Sequence, residues 1–203
     1  MKNSSLFIDG ENFKFLVEDI LKKKNLGNKG LTFLDFNISR LFKNIIKDTE
    51  LVEKNYYCAK LHYYEETAAK SKQLIDEQRR LKRNLTNSGF NFVISGNVRL
   101  QERVDRLLNK KYVFGEKGVD VRIAVDLVSY AYDRKVGRVY LCSSDSDLQP
   151  AIHKAKEKSL EIVYIGFEAG PNIGLTKTTD KTILLREAEV LECFDRLNPW
   201  NKV

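Results

Sequence analysis

The sequence predicts an α/β fold with a central, mainly parallel β-sheet. Two short, uninterrupted apolar runs, Val139 to Cys142 and Ile162 to Ile165, are typical of parallel strands buried on both faces. A stretch with helical periodicity, from about Asp147 to Lys158, separates them. The same alternation of apolar runs and amphipathic segments continues along the chain without an internal repeat or a linker. This pattern favours helices packed on both faces of one sheet.

The N-terminal half supplies the first elements of the pattern. Ser5 to Ile8 is a short apolar strand, and apolar residues between Phe13 and Leu21 recur at helical spacing. A second amphipathic helix is predicted from Leu34 to Ile45. The tyrosine-rich segment from Val52 to Tyr64 predicts a long strand. A third helix, from about Glu66 to Asn87, has a basic outer surface.

The middle of the chain is less regular. Phe90 to Ser95 alternates as a strand, and Gly96 is a place for a bend. The stretch that follows is polar and basic, and a hairpin arm returning through Lys111 to Phe114 fits it. Apolar residues then recur at helical spacing after Gly118, which predicts a helix that begins there.

The segment beyond residue 165 contributes further elements. Ile183 to Leu185 fits an edge strand, and Val190 to Phe194 fits a closing helix. Gly170 to Gly174, followed by lysines, fits a phosphate-contacting loop and an ordinary solvated loop equally well. We therefore expect a single domain over residues 1–203 with a β-hairpin embellishment.

Composition limits the classes of protein to consider. The chain has 203 residues, of which 42% are hydrophobic, and this content excludes a disordered chain. Its apolar runs are far shorter than the roughly 20 residues that cross a membrane, and no secretory signal is expected, so the prediction is a cytoplasmic protein without a membrane partner.

The three cysteines, Cys58, Cys142 and Cys193, lie far apart among apolar residues and are expected to be buried free thiols. The net charge of +7 suggests, weakly, a polyanionic partner.

Several catalytic classes lack the residues they need. The chain contains neither a phosphate-binding loop motif nor a dinucleotide-binding glycine motif. Its two histidines, His62 and His153, fall in a tyrosine-rich strand and inside a helix, where packing or surface roles are the usual ones. A Ser-His-Asp hydrolase or a ribonuclease with paired histidines is therefore poorly supported.

Aspartates at strand ends are the stronger candidates. Asp9 follows the first strand, Asp145 and Asp147 follow the strand Val139 to Cys142, and Asp120 opens a helix. Residues after parallel strands converge on the carboxyl edge of the sheet, where ligands bind. Asp120, Asp145 and Asp147 could equally cap helices, which stabilises by about 1 kcal/mol each. Acids in one cleft repel one another unless a cation neutralises them, and oxygen ligands without His or Cys favour Mg²⁺ or Mn²⁺.

Three segments together resemble the NYN domain family of the PIN-like nuclease superfamily. They are Leu6 to Asn12, then Glu116 to Val121 with Asp126 in the same helix, then Ser143 to Leu148, in the family's order. The resemblance covers roughly residues 5–165. It implies an α/β/α sandwich on a central parallel sheet.

The resemblance also implies roles for individual residues. Asp9, Asp120 and Asp145 would be the catalytic, metal-binding acids, with Asp147 as a fourth. Asn12 would orient Asp9 or contact the substrate, and Ser144 fits the small residue before the third acid and would lie at the substrate. Asp126 matches the family pattern, but it lies six positions after Asp120, about 600° round the helix. A contact that supports the metal-binding acids from behind and a helix-packing contact are equally compatible with this position.

The function implied is metal-dependent cleavage of RNA. We expect an endoribonuclease that uses Mg²⁺ or Mn²⁺ and metal-activated water, leaving a 5′ phosphate and a 3′ hydroxyl. Lys117, Arg122 and the basic surface of the third helix would follow the RNA backbone. Tyr63, Tyr64 and Tyr112 would stack on bases or else belong to the core. The alternatives are a non-catalytic RNA-binding scaffold and a structure-specific DNA nuclease, and a homodimer is compatible with the sequence.

Overall fold

Seven strands form one mixed sheet in this computed structural model, which describes residues 3–47, 49–104 and 110–194. The strand order across the sheet is β4-β3-β2-β1-β5-β6-β7. Every neighbouring pair is parallel except β3 and β4, which pair antiparallel. The strands are β1 (Ser4–Asp9), β2 (Leu51–Lys60), β3 (Asn91–Val104), β4 (Lys110–Lys117), β5 (Arg138–Cys142), β6 (Glu161–Phe167) and β7 (Lys181–Leu185).

Helices cover both faces of the sheet, as the alternating pattern predicts. Within the described residues they are α1 (Gly10–Lys23), α2 (Ile38–Ile45), α3 (Ala68–Asn87), α4 (Val119–Tyr132), α5 (Gln149–Lys156), α6 (Ile173–Thr178) and α7 (Glu187–Leu191). None of these helices is long and apolar enough to cross a membrane.

The central strand β1 shows why the sheet is covered on both sides. Successive side chains of a strand point to opposite faces, and all six residues of β1 are buried. Leu6 and Ile8 pack into one core cluster, which contains Phe13 of α1. Phe7 packs into a second cluster, which contains Ile123 of α4. The two cores confirm the predicted α/β/α sandwich.

Most predicted elements are present, with different boundaries. The second strand ends at Lys60 and does not reach Tyr64, since a 3-10 turn over Glu65–Thr67 leads into α3. The closing helix α7 lies earlier than expected and ends at Leu191. Helix α6 was not predicted as a helix, and its first turn begins after Asn172, whose side chain caps it. The three cysteines are free and buried, as predicted.

Strand β3 continues well past the bend expected at Gly96. This glycine has φ of +74°, and a Cβ there would lie 2.1 Å from the Lys117 carbonyl oxygen. Only glycine permits both this backbone conformation and the close approach. The pairing of β2 with β3 shifts register between Cys58 and Lys60. From Val98 onward, β3 pairs with β4 alone and forms the predicted hairpin arm.

Candidate active site at the carboxyl edge of the sheet

The candidate site lies where the chain changes direction across the sheet. Strand β1 has β2 on one side and β5 on the other, so the chain extends the sheet first to one side of β1 and then to the other. In open parallel sheets, such a switch point leaves a crevice outside the carboxyl ends of the strands. Asp9 is the last residue of β1, and Asp145 comes three residues after the end of β5. The topology therefore brings two acids together that are 136 positions apart in the sequence.

Asp9 is held by three hydrogen bonds at the start of α1. The Asn12 backbone N–H donates to Oδ1 at 3.3 Å, and the Asn12 Nδ2 donates to Oδ2 at 2.6 Å. The Ser143 hydroxyl also donates to Oδ2, at 3.1 Å. Only 4% of Asp9 is exposed. Burial raises the pKa of its carboxyl above the usual value, while the hydrogen bonds from Asn12 and Ser143 oppose this shift.

The two serines after β5 connect Asp9 to the loop that carries Asp145. Ser143 accepts a hydrogen bond from the Asp145 backbone N–H at 3.1 Å while it donates to Asp9. Ser144 donates to the Asn12 Oδ1 in a short hydrogen bond. Asn12 therefore lies between Ser144 and Asp9 and fixes the carboxylate of Asp9, which is the orienting role that the resemblance allowed.

Gly10 explains why the chain can turn into α1 directly after Asp9. A Cβ at this position would lie 2.5 Å from both the Tyr57 carbonyl oxygen and a ring carbon of Tyr56. The Tyr56 hydroxyl also donates to the Gly10 carbonyl oxygen. Because Gly10 has no side chain, the first turn of α1 can pack directly against Tyr56 and Tyr57 of β2.

Five carboxylates line one open cleft of ≈ 540 Å³ at this edge. Three of them, Asp9, Asp120 and Asp145, were predicted from the sequence. The other two, Glu11 and Glu116, were not. Lys117 also lines the cleft, as do the exposed apolar side chains of Phe15 and Val121 on its rim. The cleft is therefore an acidic site bordered by one basic side chain, that of Lys117, and by apolar surface.

Two glutamates of the cleft have raised pKa values. Burial raises the pKa of Glu116 to about 7, and the negative charges of Glu11, Asp9 and Asp120 contribute to the same shift. Burial likewise raises the pKa of Glu11 above its usual value. Such mutual repulsion is the electrostatic condition that a bound cation relieves.

The register of the arm places Glu116 on the apolar face of the two strands, at the end where both faces border the cleft. Glu116 pairs with the buried Val98 across the two strands and lies two residues from Phe114, so it shares their apolar face. An acidic residue among apolar residues on one face of a strand pair identifies a carboxylate that points inward. This face is defined only once the pairing of β3 with β4 is known, so the local sequence does not show it.

Three predicted residues lie elsewhere. Asp147 is exposed in the 3-10 turn Ser146–Leu148 and does not line the cleft. Its backbone N–H donates to the Asp145 Oδ1 at 2.9 Å, so Asp145 also caps this turn. Asp126 accepts from the Tyr57 hydroxyl at 3.0 Å and from the Arg122 Nε at 2.9 Å. These contacts place Asp126 in helix packing and tie Arg122 to it, away from the cleft lining.

The three tyrosines proposed for stacking have different surroundings. The Tyr64 hydroxyl donates to the Val98 carbonyl oxygen at 2.9 Å, and its ring packs edge-on against Phe114. Tyr64 therefore has a structural role. Tyr63 and Tyr112 are 49% and 37% exposed, respectively, and remain accessible to a ligand.

One residue that the sequence reasoning missed connects α6 to the site. The Asn172 side chain donates from Nδ2 to the Ser144 carbonyl oxygen at 2.8 Å and accepts from the Leu175 N–H at 2.9 Å. It thus caps α6 and fixes the loop after β5 at the same time. An Asn before a helix signals a cap, but its contact with Ser144 depends on the tertiary structure.

The donor set fits a hard divalent cation. Every carboxylate of the cleft offers oxygen, the ligand type that Mg²⁺ and Mn²⁺ prefer. Among the described residues, no three acidic, histidine or cysteine side chains are already arranged to ligate one ion. Asp9, Asp120 and Asp145 would hold the ion, with Glu116 beside them.

Comparisons with known proteins agree with this architecture. The family model described as the NYN domain matches residues 3–186. An uncharacterised protein of Methanocaldococcus jannaschii is 33% identical over 69 residues, which is 34% of this chain and 29% of that protein. The chain thus spans under a third of the length of this curated relative.

A solved structure gives the same fold. A protein of unknown function from Vibrio parahaemolyticus matches with a TM-score of 0.60 and 16% identity, over 91% of this chain and 93% of that one. With the sheet, the cleft and the family match over nearly the whole chain, the conclusion is that this protein belongs to the NYN domain family of the PIN-like nuclease superfamily.

Proposed function

We propose that this protein is a metal-dependent endoribonuclease whose active site is the acidic cleft. The observation that supports it most directly is the convergence of Asp9, Asp120 and Asp145, from three distant segments, on one open cleft. A structural role does not require acids to gather in one cleft, where their negative charges repel one another. Membership of the PIN-like nuclease superfamily supports phosphodiester cleavage in general, and the basic charge of the chain supports a polyanionic substrate.

The chain's own residues would position the reaction. Asp9 is oriented by Asn12 and Ser143 before any ligand arrives, so its carboxylate needs little rearrangement. Lys117, which lines the cleft, would contact a phosphate of the substrate. A divalent cation, when bound, supplies stabilisation of negative charge on the phosphate and makes an attacking water more acidic. This chemistry needs no histidine.

The test uses purified wild-type protein with a circular single-stranded RNA and a circular DNA of matched sequence. We expect linearisation of the RNA in Mg²⁺ or Mn²⁺ and none in EDTA, with a 5′ phosphate on the product. A circle has no ends, so linearisation identifies an endonuclease. Cleavage of the DNA alone would show a DNA nuclease in place of the proposed ribonuclease. If neither single-stranded nor structured RNA is cut in any of these ions while RNA is still bound, the scaffold alternative replaces the nuclease.

The basic surface of α3 gives a second, weaker prediction. Replacing Arg79, Arg80 and Arg83 by Gln should weaken RNA binding and flatten its salt dependence, because each lost phosphate contact reduces the slope of log K against log salt by about 0.7 for a single strand. All three side chains are exposed, although Arg79 already pairs with Asp76 at 3.1 Å. Binding is measured by fluorescence anisotropy across a salt series. Unchanged binding would assign this surface to solvation alone.

A further inference from the structure

The two faces of the hairpin arm differ in charge. Strands β3 and β4 pair without a register shift from Asn97 opposite Lys117 to Val104 opposite Lys110. In an antiparallel pair, directly opposite residues share a face, and the next pair along lies on the other face. The register therefore assigns every side chain of the arm to one face or the other.

One face carries only cations as its charged residues. Its opposing pairs are Asn97 with Lys117, Arg99 with Gly115, Gln101 with Val113, and Arg103 with Lys111. The four cations are all exposed, and none forms a salt bridge with another residue of the described ranges. We call this row of four, Lys117, Arg99, Arg103 and Lys111, the cationic face of the arm.

The opposite face is composed differently. Its pairs are Val98 with Glu116, Leu100 with Phe114, Glu102 with Tyr112, and Val104 with Lys110. The lysine among these pairs, Lys110, forms a salt bridge with Glu102 of the same face at 2.9 Å. This face therefore carries both signs of charge, whereas the charged residues paired on the other face are all cations.

The cationic face works against the stability of the arm. Arg103 and Lys111 lie directly opposite each other, and like charges in this position destabilise a strand pair. Nothing in the described part of the arm compensates them on that face. Such an arrangement is favourable when an anionic ligand lies across it.

The row also leads into the acidic cleft. Lys117 belongs both to the cationic face and to the lining of the cleft. Arg99 and Arg103 continue the row outward along β3 and are separated by about 14 Å, since a strand rises about 3.4 Å per residue. The arm is two strands wide, about 5 Å between strand axes, so the row of cations is narrow and follows one line, as a single phosphate backbone does.

We propose that the cationic face of the arm binds the phosphate backbone of a single-stranded RNA and guides it into the acidic cleft. This inference rests on the proposed function, because it takes the strand in the cleft to be RNA. The arm then supplies affinity that is independent of sequence and sensitive to salt. It also gives the substrate a direction, with one side of the cleavage point lying along the arm.

The experiment compares two triple variants of equal charge change. The first is Arg99→Gln, Arg103→Gln and Lys111→Gln, which leaves Lys117 in place. The control is Lys22→Gln, Lys43→Gln and Arg134→Gln, three exposed cations near the opposite, amino-terminal edge of the sheet. Both are measured by fluorescence anisotropy with a labelled single-stranded RNA, in EDTA across a salt series, so that no cleavage is required for the readout.

We expect the arm variant to lose affinity and its salt slope to fall by about 2, from three contacts at about 0.7 each. The control should keep the wild-type slope. The arm variant should melt at the same temperature as wild type or higher, since a like-charge pair is removed. The single variant Arg99→Gln, opposite Gly115, should lower the slope by about 0.7 and tests the proposal if the triple variant fails to fold, while the charge-keeping Arg99→Lys should bind like wild type.

Each other outcome overturns the proposal. These outcomes are a wild-type slope in a folded arm variant, an equal loss in the control, or binding to phosphatidylserine-rich vesicles with no binding to RNA. The proposed nuclease fails separately. If RNA binds through the arm in EDTA but is never cleaved in Mg²⁺ or Mn²⁺, the arm inference stands and the nuclease does not.

Discussion

Replacing Asp145 by Asn is expected to reduce metal-dependent RNA cleavage by at least about 10³-fold, equivalent to ~4 kcal/mol of transition-state stabilisation. The carboxylate faces the cleft with Asp9 and Asp120, and a neutral amide is a poor ligand for a divalent cation. The fold should survive. The Asp145 Oδ1 accepts from the Asp147 N–H, and the amide oxygen of Asn caps as well as the carboxylate does. Initial rates on the RNA substrate in Mg²⁺ measure the effect.

Asp147→Asn is the matched control for this variant. Both aspartates lie in the same turn, but Asp147 is exposed and outside the cleft lining. We expect its rate to stay close to that of wild type. If Asp147→Asn abolishes cleavage while Asp145→Asn does not, the sequence prediction for Asp147 holds and the cleft is not the active site.

Asp9→Asn should also abolish cleavage, but it is a less selective test. The Asp9 carboxylate accepts hydrogen bonds from Asn12 and Ser143. The NH₂ group of an Asn in its place would point at one or both of these donors, which would then lack an acceptor. A buried unsatisfied donor costs about 1–3 kcal/mol. Loss of activity in this variant therefore combines the loss of the carboxylate with a change in stability, which thermal melting separates.

The unfolding free energy of the metal-free protein is expected to fall as the pH rises from about 4.5 to about 7. Burial raises the pKa of Glu116 to about 7 from 4.5, so in this range the folded state holds a proton that the unfolded state has released. Because the folded state then binds more protons, its stability decreases with pH. Burial shifts the pKa values of Asp9 and Glu11 upward as well and adds to the same trend.

Glu116→Gln should therefore stabilise the metal-free protein at pH 8. The gain is about 1–3 kcal/mol, after allowance for the solvent that reaches the partly exposed carboxyl. For a chain of this size, each kcal/mol raises Tm by about 2–4 °C. Melting in EDTA between pH 4.5 and pH 8 measures it, with the exposed Glu50→Gln as the control. If the cleft holds the cation as proposed, Mg²⁺ at pH 8 should raise Tm of the wild type, because a ligand of the folded state stabilises it.

A flat Tm profile between pH 4.5 and pH 8, identical in wild type and Glu116→Gln, would contradict the electrostatic description of the cleft. An equal stabilisation by Glu50→Gln would indicate a general effect of net charge. Neither result would bear on the cleavage measurement with Asp145→Asn.

Local patterns were sufficient for the scaffold of the site. The apolar runs around Val139 and Ile162 specify strands buried on both faces, and these strands are β5 and β6 of the sheet. Asp9 and Asp145 are confirmed as residues at strand ends, since position after a parallel strand is a local property. Element boundaries were predicted less well, because caps and 3-10 turns such as Glu65–Thr67 depend on neighbouring contacts.

The class of fold, the family and three of the acids that share the cleft could be predicted without a structure, because hydrophobic periodicity and strand ends are properties of adjacent residues. The other side chains of the cleft could not, since they come from segments that meet only in the folded chain. Glu116 enters the cleft through the register of the arm, and Asn172 reaches the site through the position of α6. Asp147, two residues after Asp145 in the same turn, is exposed to solvent. The physical reason is that register and packing arise between segments distant in the chain, and no local pattern encodes where two such segments meet.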